Sequence, residues 1–308
     1  MLSSRINNYM KSYAKFIKED LLQEKLIVIN NGQKYGQIVF LIGGSGSGKG
    51  FAIDNFLNKH NFKVRDVDAW KTSFLKLEKQ ISDIQKLPAC KLDSSGKPIR
   101  TGKCNPYGVL RNVDLRNPGD VLKIHEFITD LQIKEKTLEL MLNSSNPEHL
   151  PNIIFDITGK RSAIKDYINY LMKFGYKPEN IHLIWVLANY YEAVKRNSSR
   201  ERIVPDDVLL KTHENTAKVM NDILNGYDIE NLNGSYYIIL NNFNSIEFWD
   251  KSRTIKNFKY MKIKDSGVSM SLTSNQIGKI NSWIISNIPK TLNTADIFDQ
   301  ATKIQDNQ

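Results

Sequence analysis

The sequence predicts an α/β fold: a three-layer sandwich around a mostly parallel five-stranded sheet, with a small C-terminal α+β extension. Three observations carry this expectation. Short apolar runs that read as buried strands alternate with stretches whose apolar residues recur at helical spacing, the pattern of right-handed βαβ crossovers. The first run, Gln37 to Ile42, leads into Gly43-Gly44-Ser45-Gly46-Ser47-Gly48-Lys49-Gly50 and then a helical pattern from Phe51 to Leu57. Strand, glycine-rich turn and helix, in that order, are the context a phosphate-binding loop requires. Finally, 308 residues with 41% hydrophobic content suffice for one sizeable core.

In chain order, residues 4–24 place Ile6, Met10, Tyr13, Phe16, Ile17, Leu21 and Leu22 at helical spacing, so 1–35 reads as an N-terminal helix packed on the core. The core itself spans 36–241. After the loop, a short strand is expected at Phe62 to Val67 and a helix from Trp70 to about Lys86. Residues 87–118 are dense in Gly, Pro, Ser, Lys and Asn and read as an irregular insertion. Asn117-Pro118 resembles a helix start, with Val121, Ile124, Ile128, Leu131 and Leu138 forming the stripe of one long helix. A buried strand ending in an acid follows at Asn152 to Asp156, then a helix that Gly175 can close. Two further strands are expected at Ile181 to Leu187 and Tyr236 to Leu240. In the extension, 242–308, the pattern suggests a hairpin around Asp265-Ser266-Gly267, a helix from Gln276 to Ile288, and a loosely held polar tail from Thr291.

Composition narrows the setting. The chain has no apolar run near the roughly twenty residues that span a bilayer, and no signal-peptide pattern, so no membrane association and a cytoplasmic location are expected, the host cytoplasm if the gene is phage-borne. A net charge of +10 permits nucleic-acid binding, although the abundance of Lys, Asn and Ile also suits A/T-rich codons. Cys90 and Cys104 form no Cys-x-x-Cys pair and are expected to be free thiols in a reducing compartment. The five histidines have no metal-ligand spacing.

The loop carries the chemistry. Glycines at 43, 44, 46 and 48 let backbone amides turn inward at the positive end of a helix dipole, where a phosphate fits. Lys49 then reaches the β- and γ-phosphates as a mobile point charge. The hydroxyl residue that usually follows that lysine as a magnesium ligand is Gly50 here, so no direct metal ligand is assigned. Ligands of parallel sheets sit beyond the carboxyl ends of the strands, where Asp66, Asp68 and Asp156 are expected to converge. Asp68 is the expected base for an acceptor hydroxyl and Asp156 the group that positions substrate or metal-bound water, the alternative for each being a helix cap. Arg196, Arg200 and Arg202 precede Ile203-Val204-Pro205, and an arginine-bearing segment between two helices, about 190–210, suits a lid over a phosphoryl group. Lys160 and Arg161 are candidates for substrate binding or for solvated helix residues. Trp70 is a candidate pocket wall or a buried aromatic.

With these residues in place, the chain resembles the zeta toxin family of P-loop kinases. The resemblance spans roughly 37–240 and rests on four ordered motifs: the Gly43–Gly50 loop, the acidic strand end Arg65–Lys71, the strand Ile153–Arg161, and Arg200–Val208. It implies an ATP-dependent phosphotransferase using ATP and Mg2+, with Lys49 on the nucleotide phosphates, Asp68 activating the acceptor, Asp156 on the substrate side, and Arg202 and Arg196 as lid arginines. It also implies a nucleotide-sugar hydroxyl as acceptor and, for some members, a small antitoxin partner. Related phage kinases act on DNA or nucleotides, so a kinase for a nucleic-acid end or base is the alternative enzyme. A non-enzymatic ATP-binding module is the other.

Overall fold

The computed structural model describes Ile27, Ile29 and residues 34–57, 61–100, 102–143, 149–241, 253–255 and 258–306. The helix expected at 4–24 lies outside them. The sheet contains β1 (Ile38–Ile42), β2 (Lys63–Asp66), β3 (Ile153–Ile157), β4 (Ile181–Ala188), β5 (Tyr236–Asn241), β6 (Arg253–Ile255) and β7 (Phe258–Lys264) in the order β2-β3-β1-β4-β5-β7-β6. Strands β2, β3, β1, β4 and β5 run parallel, with Phe40 of β1 level with Phe155 of β3 and Leu183 of β4. Strands covered on both faces need apolar side chains at every position, and every residue of β1, β4 and β5 is buried.

Each face of the sheet carries its own core. Alternate residues Ile38, Phe40 and Ile42 pack in one, with Phe155, Trp185 and Ile238, while Val39 and Leu41 pack in the other, with Phe56, Ile154 and Ile184. The first face is covered by α5 (Arg161–Met172), α7 (Asp206–Leu224) and α8 (Ser274–Asn287), the second partly by α1 (Lys49–Phe56). A third cluster, Leu110, Ile124, Phe127 and Ile128, lies between the insertion and the helices α2 (Val67–Lys79) and α3 (Pro118–Asp130).

Several expectations are corrected. The sheet has seven strands among the described residues, not five, because β7 pairs antiparallel with β5 and β6 with β7. Without β7 the apolar β5 would be an open edge. The turn at Asp265-Ser266-Gly267 therefore ends β7 instead of joining a hairpin, and the hairpin is formed by β6 and β7. The single long helix from Pro118 is broken at Gln132, whose φ of 53° no helix tolerates, into α3 and α4 (Ile133–Asn143). The tail is not loose: α9 (Ala295–Asp306) packs beside α8, with Ile297 and Thr294 buried. The remaining helix, α6 (Tyr190–Ser198), precedes the arginine-bearing segment.

The cysteines are also corrected. Cys90 and Cys104 form a disulfide, Cα atoms 4.9 Å apart. Backbone bonds from Cys90 N to Asn105 O (3.1 Å) and from Asn105 N to Pro88 O (2.7 Å) lay the two segments side by side. The thiol expectation rested on compartment, and pairing depends on proximity. No helix among the described residues is long and apolar enough to cross a membrane.

Candidate active site

The glycine loop turns out of β1 and into α1 through two left-handed residues, Gly46 at φ 79° and Gly48 at φ 97°, which glycine adopts without strain. Two other glycines are required by crowding. A Cβ on Gly44 would lie 2.3 Å from the His213 ring, and one on Gly43 would lie 2.7 Å from Val186 O. The loop is seated from behind by three side chains. Thr212 Oγ1 accepts from Ser45 N (2.9 Å), His213 Nε2 meets Ser45 O (2.9 Å), and Asn241 Nδ2 donates to Ser47 O (2.7 Å). Burial, aided by the nearby Lys49 charge, pulls His213 down to about 4 although its bond to Ser45 opposes this. The ring is therefore neutral at pH 7, and its Nε2–H donates to the carbonyl. The first-turn amides of α1 have no acceptors within the helix, and Lys49 and Gly50 of that turn line the pocket.

Lys49 closes the loop on itself, its Nζ donating to Gly43 O (2.8 Å) and Gly44 O (3.3 Å) and standing 3.6 Å from Asp156. Asp156 occupies the carboxyl end of β3, level with Asp66 of β2. Burial raises its pKa to about 6, Lys49 opposes the rise, and the neighbouring Asp66 and Asp68 add to it.

The other acids divide the roles that the sequence left open. Asp66 is the helix cap: its side chain accepts from Asp68 N (2.8 Å) and Ala69 N (3.4 Å) at the start of α2. Asp68, freed from capping, takes both guanidinium nitrogens of Arg202, one at 2.8 Å, and stands 3.2 Å from Lys71 Nζ. Burial pushes its pKa up, but Arg202 and Lys71 outweigh this and hold the carboxyl below its ordinary range.

These groups share one pocket of about 320 Å³, lined by Ser45–Gly50, Asp66, Asp68, Asp156, Arg200 and Arg202. Not every predicted residue joins it. Helix α6 stops at Ser198, so Arg196 and Arg200 do not share a helical face, and Arg196 is absent from the lining. Arg161 donates to Tyr227 O (2.8 Å) and Asp228 O (2.6 Å) and pairs with Asp222, tying α5 to the end of α7. Lys160 is an exposed residue at the start of α5. Trp70 packs toward the third core cluster, with the buried Arg65 guanidinium 5.6 Å from its ring. Sequence reasoning passed over Lys71, Thr212, His213 and Asn241. Only Lys71 carried a signal, its spacing of three residues from Asp68 on a helix.

The cradle suits a polyphosphate, since its shape depends on glycines that a Cβ would obstruct. It offers less to a metal: among the described residues no group of three or more His, Cys, Asp or Glu side chains is arranged to hold an ion. A side chain at Gly50 would meet nothing within 4 Å, so the missing hydroxyl is not a matter of space.

No protein-family model matches the chain, and no curated protein matches it. Among solved structures, the crystal structure of AvrRxo1-ORF1:AvrRxo1-ORF2 with sulphate ions aligns with 88% of this chain and 76% of its own, at 13% identity and a TM-score of 0.32. A likeness of that size carries no argument about activity.

Proposed function

We propose that the protein is a P-loop phosphotransferase that moves the γ-phosphate of ATP to a hydroxyl acceptor. One observation supports this above the others: a glycine cradle with its lysine, two arginines and three aspartates line a single pocket at the carboxyl edge of a parallel sheet. A bare anion site needs no carboxylates, and a hydrolytic acid pair needs no cradle.

In this reading the loop amides and Lys49 hold the phosphates, and ATP supplies the phosphoryl group and leaves as ADP. Arg200 and Arg202 line the same pocket as the loop and neutralise charge on the transferred group. Asp68 accepts the acceptor's proton once Arg202 has exchanged it for phosphate. Asp156 stays beside Lys49 and orients it. Gly50 offers no hydroxyl to a magnesium ion, so an ion arriving with the nucleotide would have to be held by the phosphates and water and not by this loop. The resemblance to zeta toxins extends the reading to a nucleotide-sugar hydroxyl and an antitoxin-like partner in the cytoplasm, and the basic charge keeps a nucleic-acid hydroxyl as the rival acceptor.

A second assignment has a specific observation behind it. Asp156 titrates near 6, closer to the pKa a general base needs at neutral pH than Asp68, which is held low. Transfer of labelled γ-phosphate from ATP to a panel of nucleotide sugars, nucleosides and DNA ends tests both readings. Loss of about a hundredfold or more in Asp68→Ala, with ATP still bound, supports Asp68 as base. A rate that survives in Asp68→Ala and disappears in Asp156→Asn moves the role to Asp156. ATP bound with no label in any acceptor leaves a binding module.

A further inference from the structure

Lys71 lies one turn beyond Asp68 on the same helix, and only 6% of it is exposed. Lysine side chains ordinarily reach water, and this one instead ends 3.2 Å from Asp68 Oδ1. Asp68 thus carries two cations of different kinds. Arg202 reaches it from a segment 134 residues away and holds both oxygens. Lys71 reaches it from within α2, at a separation the helix itself fixes.

The proposed reaction requires these two cations to part company. Arg202 serves the transferred phosphoryl group only by leaving Asp68, and a half-exposed carboxylate released from a bidentate arginine loses its orientation and part of its charge stabilisation. Lys71 cannot follow Arg202, because it is buried and tethered to the same helix. We infer that Lys71 is a positioning residue that keeps Asp68 ionised and aimed at the acceptor after Arg202 has moved to the phosphate. The inference rests on the phosphotransferase reading of the site.

Charged groups from several elements face the pair, Arg200 beside Arg202 among them. Lys49 comes from the loop, Asp156 from β3, Arg202 from the arginine segment, Lys134 from α4, and His125 from α3 senses both members of the pair. Burial leaves the Lys71 pKa below its ordinary value although Asp68 opposes the fall, and each group supports the charged form of the other.

Lys71→Met keeps the length and apolar stem and removes the charge. The expected result is a fall in kcat of about tenfold to a hundredfold, with KM for ATP and acceptor within about twofold, and an acidic limb of the pH–rate profile moved to higher pH. An active wild type whose kcat and acidic limb are unchanged in Lys71→Met overturns the inference and leaves the phosphotransferase reading standing. A wild type that transfers label to no acceptor overturns that reading and this role together. Should the variant not fold, lysine side-chain NMR replaces it by comparing wild type with Asp68→Asn. A Lys71 titration at lower pH in Asp68→Asn supports the coupling, and an unmoved one overturns it.

Discussion

The two sides of the pocket are held in different ways. The glycine loop is fixed by backbone geometry and by three buried side chains behind it, so its shape exists before any ligand arrives. The arginine segment is anchored chiefly at its ends. Asn197 exchanges two hydrogen bonds with Val204 (2.7 and 3.0 Å), and Ile203 N donates to Leu115 O (3.0 Å). Between the anchors, the Arg202 side chain is placed by its ion pair with Asp68, which can change partner. A rigid cradle and an exchangeable clamp are what phosphoryl transfer asks for, since the phosphates must be positioned in advance and the developing charge met only on closure.

The largest expected effect comes from breaking the rigid side. Gly44→Ala places a Cβ against the His213 ring, so either the ring or the loop must move. We expect ATP affinity to fall by about a hundredfold or more, measured by calorimetry, with a loss of stability of about 1–3 kcal/mol. A variant that binds ATP normally would show that the cradle is not preformed. The clamp gives the next effect. Arg202→Ala is expected to lower kcat about a hundredfold while ATP affinity changes only a few-fold, and Arg196→Ala, outside the pocket lining, to change kcat by less than about threefold. Equal losses in both would place Arg196 in the closed state and enlarge the clamp.

The smallest effect concerns stability. Asp156 has a folded-state pKa raised from 3.8 to about 6, so the fold prefers its protonated form. As pH rises from about 4 to 6 the unfolded chain releases this proton before the folded one does, and stability falls by about 3 kcal/mol at most before levelling off. Asp156→Asn removes that fall. Its melting temperature should match wild type near pH 4 and exceed it by a few degrees at pH 7.5, as read by thermal denaturation.

What was legible in the sequence follows the same division. The loop, the strands that flank it and the acids at their ends are local patterns, since glycines at fixed spacing and continuous apolar runs declare themselves. The arginine segment was read in outline: Arg202 lines the pocket as expected, and Arg200 lines it where Arg196 was expected, because the helix stops at Ser198. The seat of the loop was invisible: nothing local marks Thr212 and His213 as partners of residues more than 160 positions earlier. Strand β7 was expected as an arm of a hairpin, and its pairing with β5 escaped for another reason. Its run Phe-Lys-Tyr-Met-Lys-Ile-Lys reads as half polar, yet Lys264 is buried, satisfied by Asn233 and Gly234 carbonyls. The disulfide likewise depended on a chain path that spacing alone does not give.

Glu214, next to His213 on α7, is buried and takes bonds from Thr291 and Asn293 in the turn before α9. This sets an order on the making of the protein. The glycine loop leaves the ribosome early, its seat emerges 168 residues after Ser45, and the donors that settle the neighbouring carboxylate emerge 79 residues after Glu214. A nascent chain that has not reached Asn293 leaves Glu214 without these donors on the very helix that seats the loop. The helix that seats the glycine loop is thereby settled only once Asn293 has joined the fold.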